Sequence, residues 1–230
     1  MKKAASVLRA YDRGEIGPDE WLDALAVVAA YRKQFSYPLL KVNNGLRSFC
    51  KALDLNDAVV SQRLKREETI IEKLTKRETS MNLLTMQDIG GCRVILGSRS
   101  DLRALHGRIQ KSWSSRIIKV DDYIADPRAS GYRAVHIIVE TNGMPIEVQL
   151  RTQDLHDWAE TVESFGGRSG LNYKQDGDRP IQRLMAVFSK IDQYYERDEV
   201  PPSDLFEAMR ILGEAAREDV ARQAEGTQNE

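Results

Sequence analysis

Apolar residues recur at helical spacing through most of the first 55 residues. Trp21, Leu22, Leu25, Val28 and Tyr31 form one stripe, and Pro18-Asp19-Glu20 opens it with residue types that favour a helix N-terminus. Pro38 breaks the run, after which Leu39, Val42, Leu46, Phe49 and Leu53 resume it. Asp54 to Asp57 makes a polar joint. Residues 61–79 mix dense charge with Ile70, Ile71 and Leu74, a pattern that predicts an amphipathic helix. The period then shortens. Cys92 to Leu96 is a β-branched run bounded by Gly90-Gly91 and Gly97-Ser98, which predicts a strand. A helix is expected over Asp101–Lys111 with Ser100 as its N-cap, then strands over Ile117–Tyr123 and Ala134–Glu140. Asn142-Gly143 marks a hairpin turn into a return strand, Ile146–Leu150. Helices are expected over 153–164, 179–196 and 203–223, with Glu225–Glu230 frayed.

The order of these elements predicts an α/β (α+β) fold: a mixed sheet of four or five strands between helical extensions. Three parts are expected: an N-terminal helical segment (1–55), a core (56–175) and a C-terminal helical extension (176–230). With 41% hydrophobic residues, the chain can bury a real core. No apolar run approaches the ~18–20 residues of a membrane span, so no membrane partner is expected. Two cysteines, Cys50 and Cys92, exclude a disulfide scaffold and an all-cysteine zinc site, which points to a cytoplasmic protein with reduced thiols. The net charge of −1 conceals an asymmetry: residues 1–150 carry +6 and residues 151–230 carry −7. A basic front suits an anionic ligand, while the acidic extension suits an oligomerisation helix, an intrinsic brake on that front, or a solvated surface.

The chain has no phosphate loop of the G-x-x-x-x-G-K-[ST] type, no G-x-G-x-x-G fingerprint and no G-x-S-x-G elbow. His156-Asp157 alone does not make a metal phosphohydrolase, since only His106 and His136 remain as further histidines. Four charged pieces are left. In the first, Lys65, Thr69 and Lys73 are spaced to share a helix face behind Arg63, and two ammonium groups with a hydroxyl suit a polyphosphate. In the second, Asp88-Ile89-Gly90-Gly91-Cys92-Arg93 sets a carboxylate beside a Gly-Gly turn, a good position for a Mg2+ ligand. The third, Ser130-Gly131-Tyr132-Arg133-Ala134-Val135-His136, offers an aromatic residue that, if exposed, can stack on a base. In the fourth, Glu147, Gln149 and Arg151 share one face of a strand by its period of two, and three such groups are costly to bury unpaired.

These four pieces, in this order and spacing, resemble the synthetase domain of the RelA/SpoT alarmone synthetases from about Arg63 to Lys174. The resemblance implies a nucleotidyltransferase-like fold and transfer of pyrophosphate from ATP to a ribose 3′-hydroxyl of GDP or GTP, with release of AMP. It implies that Arg63 and Arg93 sandwich adenine and that Lys65, Thr69 and Lys73 bind the ATP phosphates, Thr69 standing where the family usually has Ser. Asp88 and Glu147 are implied as the catalytic and Mg2+-ligating carboxylates. Tyr132, His136, Gln149 and Arg151 are implied as acceptor contacts.

Ala30 to Leu39 and Met86 to Arg93 look like the small single-domain branch of phage, prophage and toxin-type members. Some toxins of that branch modify the 3′-CCA end of tRNA, for which Arg32 and Lys33 are candidate RNA contacts. Leu155 to Glu160 departs from the Asn-bearing version of many small synthetases. The acceptor is thus open between GDP/GTP and the tRNA 3′ end. An antitoxin or regulatory protein and a homo-oligomer are the implied protein partners. A catalytically silent nucleotide-binding regulator is the non-enzymatic alternative.

Overall fold

The computed structural model describes residues 2–78, 80–169 and 178–226. Of the expected frayed end, 227–230 lie outside the described residues, as do Lys174 and the 175/176 boundary; Glu225 and Gly226 still belong to a helix. The described residues form two compact units. The first comprises residues 1–121 with 135–150, and the second 122–134 with 151–230.

The first unit begins with three helices, α1 (Lys2–Asp12), α2 (Pro18–Lys33) and α3 (Ser36–Ala52). Pro38 does not end a helix. It sits in the first turn of α3, where its missing N–H would have had no intrahelical acceptor, and the break falls before it at Gln34 and Phe35. Then come β1 (Val59–Leu64), α4 (Glu67–Glu72), a π-helical turn over Lys73–Arg77, β2 (Gly90–Leu96), α5 (Arg99–Ser112), β3 (Ile117–Asp122), β4 (Val135–Thr141) and β5 (Met144–Thr152). The five strands make one mixed sheet in the order β1-β2-β5-β4-β3.

Two local expectations are corrected. The helix expected over 61–79 starts only at Glu67, because residues 59–64 pair antiparallel with β2. Pairing across the sheet overrides the local charge pattern there. The N-cap of α5 is Ser98, whose extended backbone lets its side chain accept from the Asp101 amide, and Ser100 lies inside the first turn. The hairpin stands as expected: Asn142 and Gly143 take φ of 54° and 75° between β4 and β5.

One face of the sheet is apolar. Cys92, Val94 and Leu96 of β2, Ile146, Val148 and Leu150 of β5, and Val135, Ile137 and Val139 of β4 are all buried. Helix α3 contributes Leu39, Val42 and Leu46 to the core of this unit, and α5 contributes Leu102, Leu105 and Ile109. A Cβ at Gly90 would come within 2.9 Å of Ile146 Cδ1 and 3.3 Å of Phe35 Cδ1, so a larger residue at the start of β2 requires the Ile146 side chain to shift. The second unit packs α6 (Gln153–Ser169), α7 (Pro180–Tyr195) and α8 (Ser203–Gly226) around Tyr132, Trp158, Val162, Ile181 and Met185. Trp158 donates its indole N–H to the Met185 carbonyl at 3.0 Å. Among the described residues no helix is long and apolar enough to cross a membrane.

Candidate active site

The polar residues lie on the sheet face opposite the apolar core. Directly paired residues of neighbouring strands point the same way. Ser61 opposes Arg93 and Arg63 opposes Gly91, so Arg63 and Arg93 are diagonal neighbours on one face of β1 and β2. In the second hairpin, His136 opposes Gln149 and Ile138 opposes Glu147, which puts His136, Glu147 and Gln149 together. The alternation that buries Val148 and Leu150 leaves Glu147 and Gln149 half-buried on this other face.

The charges meet in two clusters. Oδ2 of Asp88 accepts from Lys65 Nζ at 2.8 Å and from Lys73 Nζ at 3.1 Å. Its Oδ1 is buried with no hydrogen-bond partner. Lys73 also reaches Oε1 of Glu78 at 3.3 Å. Burial pushes the Asp88 carboxyl up, but Lys65 and Lys73 outweigh it and hold the group below its ordinary value. Burial likewise presses Lys73 down, and Asp88 and Glu78 more than compensate, so its ammonium is held above the usual value. In the second cluster, Nδ1 of His136 is 3.0 Å from Glu147 Oε1, and Gln149 Nε2 donates to Glu147 Oε2 at 2.8 Å. Burial and the nearby Asp88 charge push Glu147 up, but the hydrogen bond and charge of His136, helped by Gln149, leave it below the ordinary range. Both carboxylates are therefore ionised at neutral pH.

The arrangement differs from the helical reading of the first piece. Lys65 is not on a helix: it follows β1, and its amide donates to the Ile89 carbonyl at 2.8 Å. Thr69 lies on α4, and Lys73 opens the π-helical turn. The lysines reach one carboxylate because the strand end and the helix turn toward Asp88. Tyr132 is not the exposed ring expected of a stacking residue. It is 5% exposed in the second unit, packed near Tyr123 and Trp158, and its hydroxyl accepts from Arg151 Nη2 at 2.8 Å. Arg151 is itself buried there, with its guanidinium 5.2 Å from the Tyr132 ring centre. Lys33 is exposed, whereas Arg32 turns inward and donates from Nε to the Lys65 carbonyl at 2.7 Å. Sequence reasoning missed that bond and the ion pair of Lys73 with Glu78. The first spans 33 residues of chain and has no local signature.

Among the described residues no three acids, histidines or cysteines cluster as a ready-made metal cage. The donor set nevertheless fits Mg2+, which takes one or two carboxylates and leaves its other positions to water and phosphate. The buried, partnerless Oδ1 of Asp88 is the ligand atom such an ion would use.

Two ionised carboxylates, Glu147 on β5 and Asp88 just before β2, with two lysines held on Asp88, define a site for a polyanionic substrate. Comparison with known proteins identifies the family. The chain belongs to the RelA/SpoT family: residues 62–178 match the region found in RelA / SpoT proteins. It is 34% identical over 120 residues to the probable GTP diphosphokinase RSH2 of Arabidopsis thaliana chloroplasts, covering 52% of this chain and only 16% of that protein. It is 28% identical over 172 residues to the GTP pyrophosphokinase YjbM of Bacillus subtilis, covering 67% of this chain and 79% of that one. It shares its fold with the small alarmone synthetase 1 of Bacillus subtilis bound to its product pppGpp, with a TM-score of 0.58 and 22% identity over 71% of this chain and 90% of that one.

Proposed function

We propose that the chain is an ATP-dependent pyrophosphokinase that transfers the β,γ-diphosphate of ATP to the ribose 3′-hydroxyl of GDP or GTP. The observation that carries this reading is the Lys65–Asp88–Lys73 cluster on the same side of the sheet as Glu147 and His136. Relatives named GTP diphosphokinase and GTP pyrophosphokinase support the acceptor.

In this reading the 3′-oxygen attacks the β-phosphorus, the bond from that phosphorus to the α–β bridging oxygen breaks, and AMP leaves with the bridging oxygen. The hydroxyl is a poor nucleophile, so Glu147 accepts its proton as the new bond forms. His136 and Gln149 hold the two oxygens of Glu147 in place. Lys65 and Lys73 exchange Asp88 for the phosphates and offset their charge, with the Thr69 hydroxyl as a further donor. Arg63 and Arg93, diagonal on adjacent strands, are spaced to hold an adenine between two guanidinium planes. Mg2+, held by Asp88 and Glu147, would supply further charge neutralisation on the transferred group. Gln149 is assigned to the acceptor side.

The test is transfer of label from γ-32P-ATP with Mg2+ to GDP, GTP or deacylated tRNA offered in parallel, with Glu147→Gln as the blank. Label on the guanine nucleotides, lost by about 10²–10³ or more in the blank, is the expected result. Label on tRNA alone would make the chain a translation-blocking toxin with a need for an antitoxin. ATP binding without transfer would make it a regulator.

A further inference from the structure

The segment that carries the two lysines, residues 65–78, is gripped at both ends by arginines distant in sequence. At its start, Arg32 Nε donates to the Lys65 carbonyl at 2.7 Å, and Arg32 Nη1 lies 3.7 Å from Glu67 Oε1. At its end, Arg9 Nη1 donates to the carbonyls of Leu74 at 3.0 Å and Met81 at 3.3 Å. Arg9 lies on α1 and Arg32 in the last turn of α2, both outside the matched region 62–178.

The bonds fall where the segment has least support of its own. Helix α4 has six residues, far below the length at which a helix is stable alone. It passes into a π-helical turn in which the Lys73 carbonyl accepts from the Glu78 amide at 2.8 Å. Such turns are rare, and carbonyls near a helix end run short of intrahelical donors. Arg9 supplies a donor to Leu74, the residue after Lys73. Arg32 does the same for Lys65, whose amide is already tied to Ile89. Arg32 thereby anchors the Lys65 backbone itself and Arg9 the residue next to Lys73, and each ammonium is aimed at Asp88.

We propose that Arg32 and Arg9 are positioning residues for phosphate binding, Arg32 setting Lys65 and Arg9 setting Lys73. The N-terminal helices then complete a site whose reacting groups all lie in the family region. This rests on the reading of both lysines as phosphate binders. An arginine that merely braces the helical layer would lower stability without selecting between substrates.

Arg32→Ala and Arg9→Ala are made in the full chain and read in two ways. Without nucleotide, denaturant double-mutant cycles measure the coupling of Lys65 with Asp88 and of Lys73 with Asp88. Arg32→Ala should remove about half or more of the first coupling, and Arg9→Ala of the second. With a non-hydrolysable ATP analogue, each variant should raise Kd about tenfold, the loss of one charge-assisted bond, while KM for the acceptor moves by less than about twofold. Lys65→Ala should add little to the Kd of Arg32→Ala. Unchanged couplings, or a Kd that rises in step with the acceptor KM, overturn the proposal. A wild type that binds the analogue no better than its variants, yet tightly, sinks the proposal alone. A wild type that does not bind it at all sinks the phosphate reading and the proposal with it.

Discussion

Replacing Asp88 by Asn should weaken the ligand-free fold, tighten the grip on metal-free ATP and abolish turnover, three effects of different sign from one change. Asp88 stands 2.8 and 3.1 Å from two ammonium groups. At an effective dielectric of about 20, each pair attracts by roughly 5–6 kcal/mol before desolvation is counted. Desolvation returns most of that. Breaking a fully buried pair costs about 3–5 kcal/mol, whereas an exposed pair is worth about 0–1 kcal/mol. The lysine side chains are 17% and 19% exposed and the carboxylate 26%, so the site lies between these limits, and a loss of about 2 kcal/mol is expected. The same charge competes with phosphate for both lysines. Without it, ATP in EDTA should bind about tenfold tighter, or ~1.4 kcal/mol. Urea denaturation measures the first effect, calorimetric titration with ATP in EDTA the second, and label transfer with Mg2+ the third. A variant as stable as wild type, or one that binds metal-free ATP more weakly, would refute the charge balance described for this site.

Gly131→Ala should destabilise the second unit by about 2–4 kcal/mol, read by chemical denaturation, because a residue at φ +84° would bring its Cβ within 2.8 Å of Ala186 Cα and 2.9 Å of Ser189 Cβ. Arg133 is 2% exposed, and its Nη1 donates to both oxygens of Glu196 at 2.9 and 2.8 Å. Glu196→Gln leaves that guanidinium with the weaker ion pair to Asp192 at 3.9 Å, and a cost of about 2 kcal/mol is expected in the same assay. Burial pushes the Cys92 thiol up to about 12 and raises that of Cys50. Neither should react with iodoacetamide at pH 8 until the protein unfolds; rapid labelling of the native protein would contradict the packing of α3 on β2.

Much of the fold was legible in local pattern. The apolar stripes of α2 and α3, the β-branched runs of β2 and β4, and the Asn142-Gly143 hairpin each follow from periods of 3.6 or 2 and from turn chemistry that acts over a few residues. The same period of two set Glu147 and Gln149 on one face of β5. By contrast, the charge pattern predicts a helix from residue 61, across the second half of β1. Its residues Val59 to Leu64 carry the polar run Ser61-Gln62-Arg63, and only the pairing with β2 makes them a strand. That pairing is also what brings Arg63 beside Arg93 and takes Lys65 off the helix. The burial of Tyr132 and the inward turn of Arg32 were likewise out of reach, since each depends on partners supplied by distant segments.

The sequence by itself determined which charges this protein owns and the local period of most of its elements, because those depend on neighbours a few residues apart. Tertiary structure decided which charges meet. Lys65 and Asp88 are 23 residues apart, and Arg32 and Lys65 are 33 apart. Ion pairs and hydrogen bonds act over a few ångströms of space, and only strand order and register convert separation along the chain into that distance.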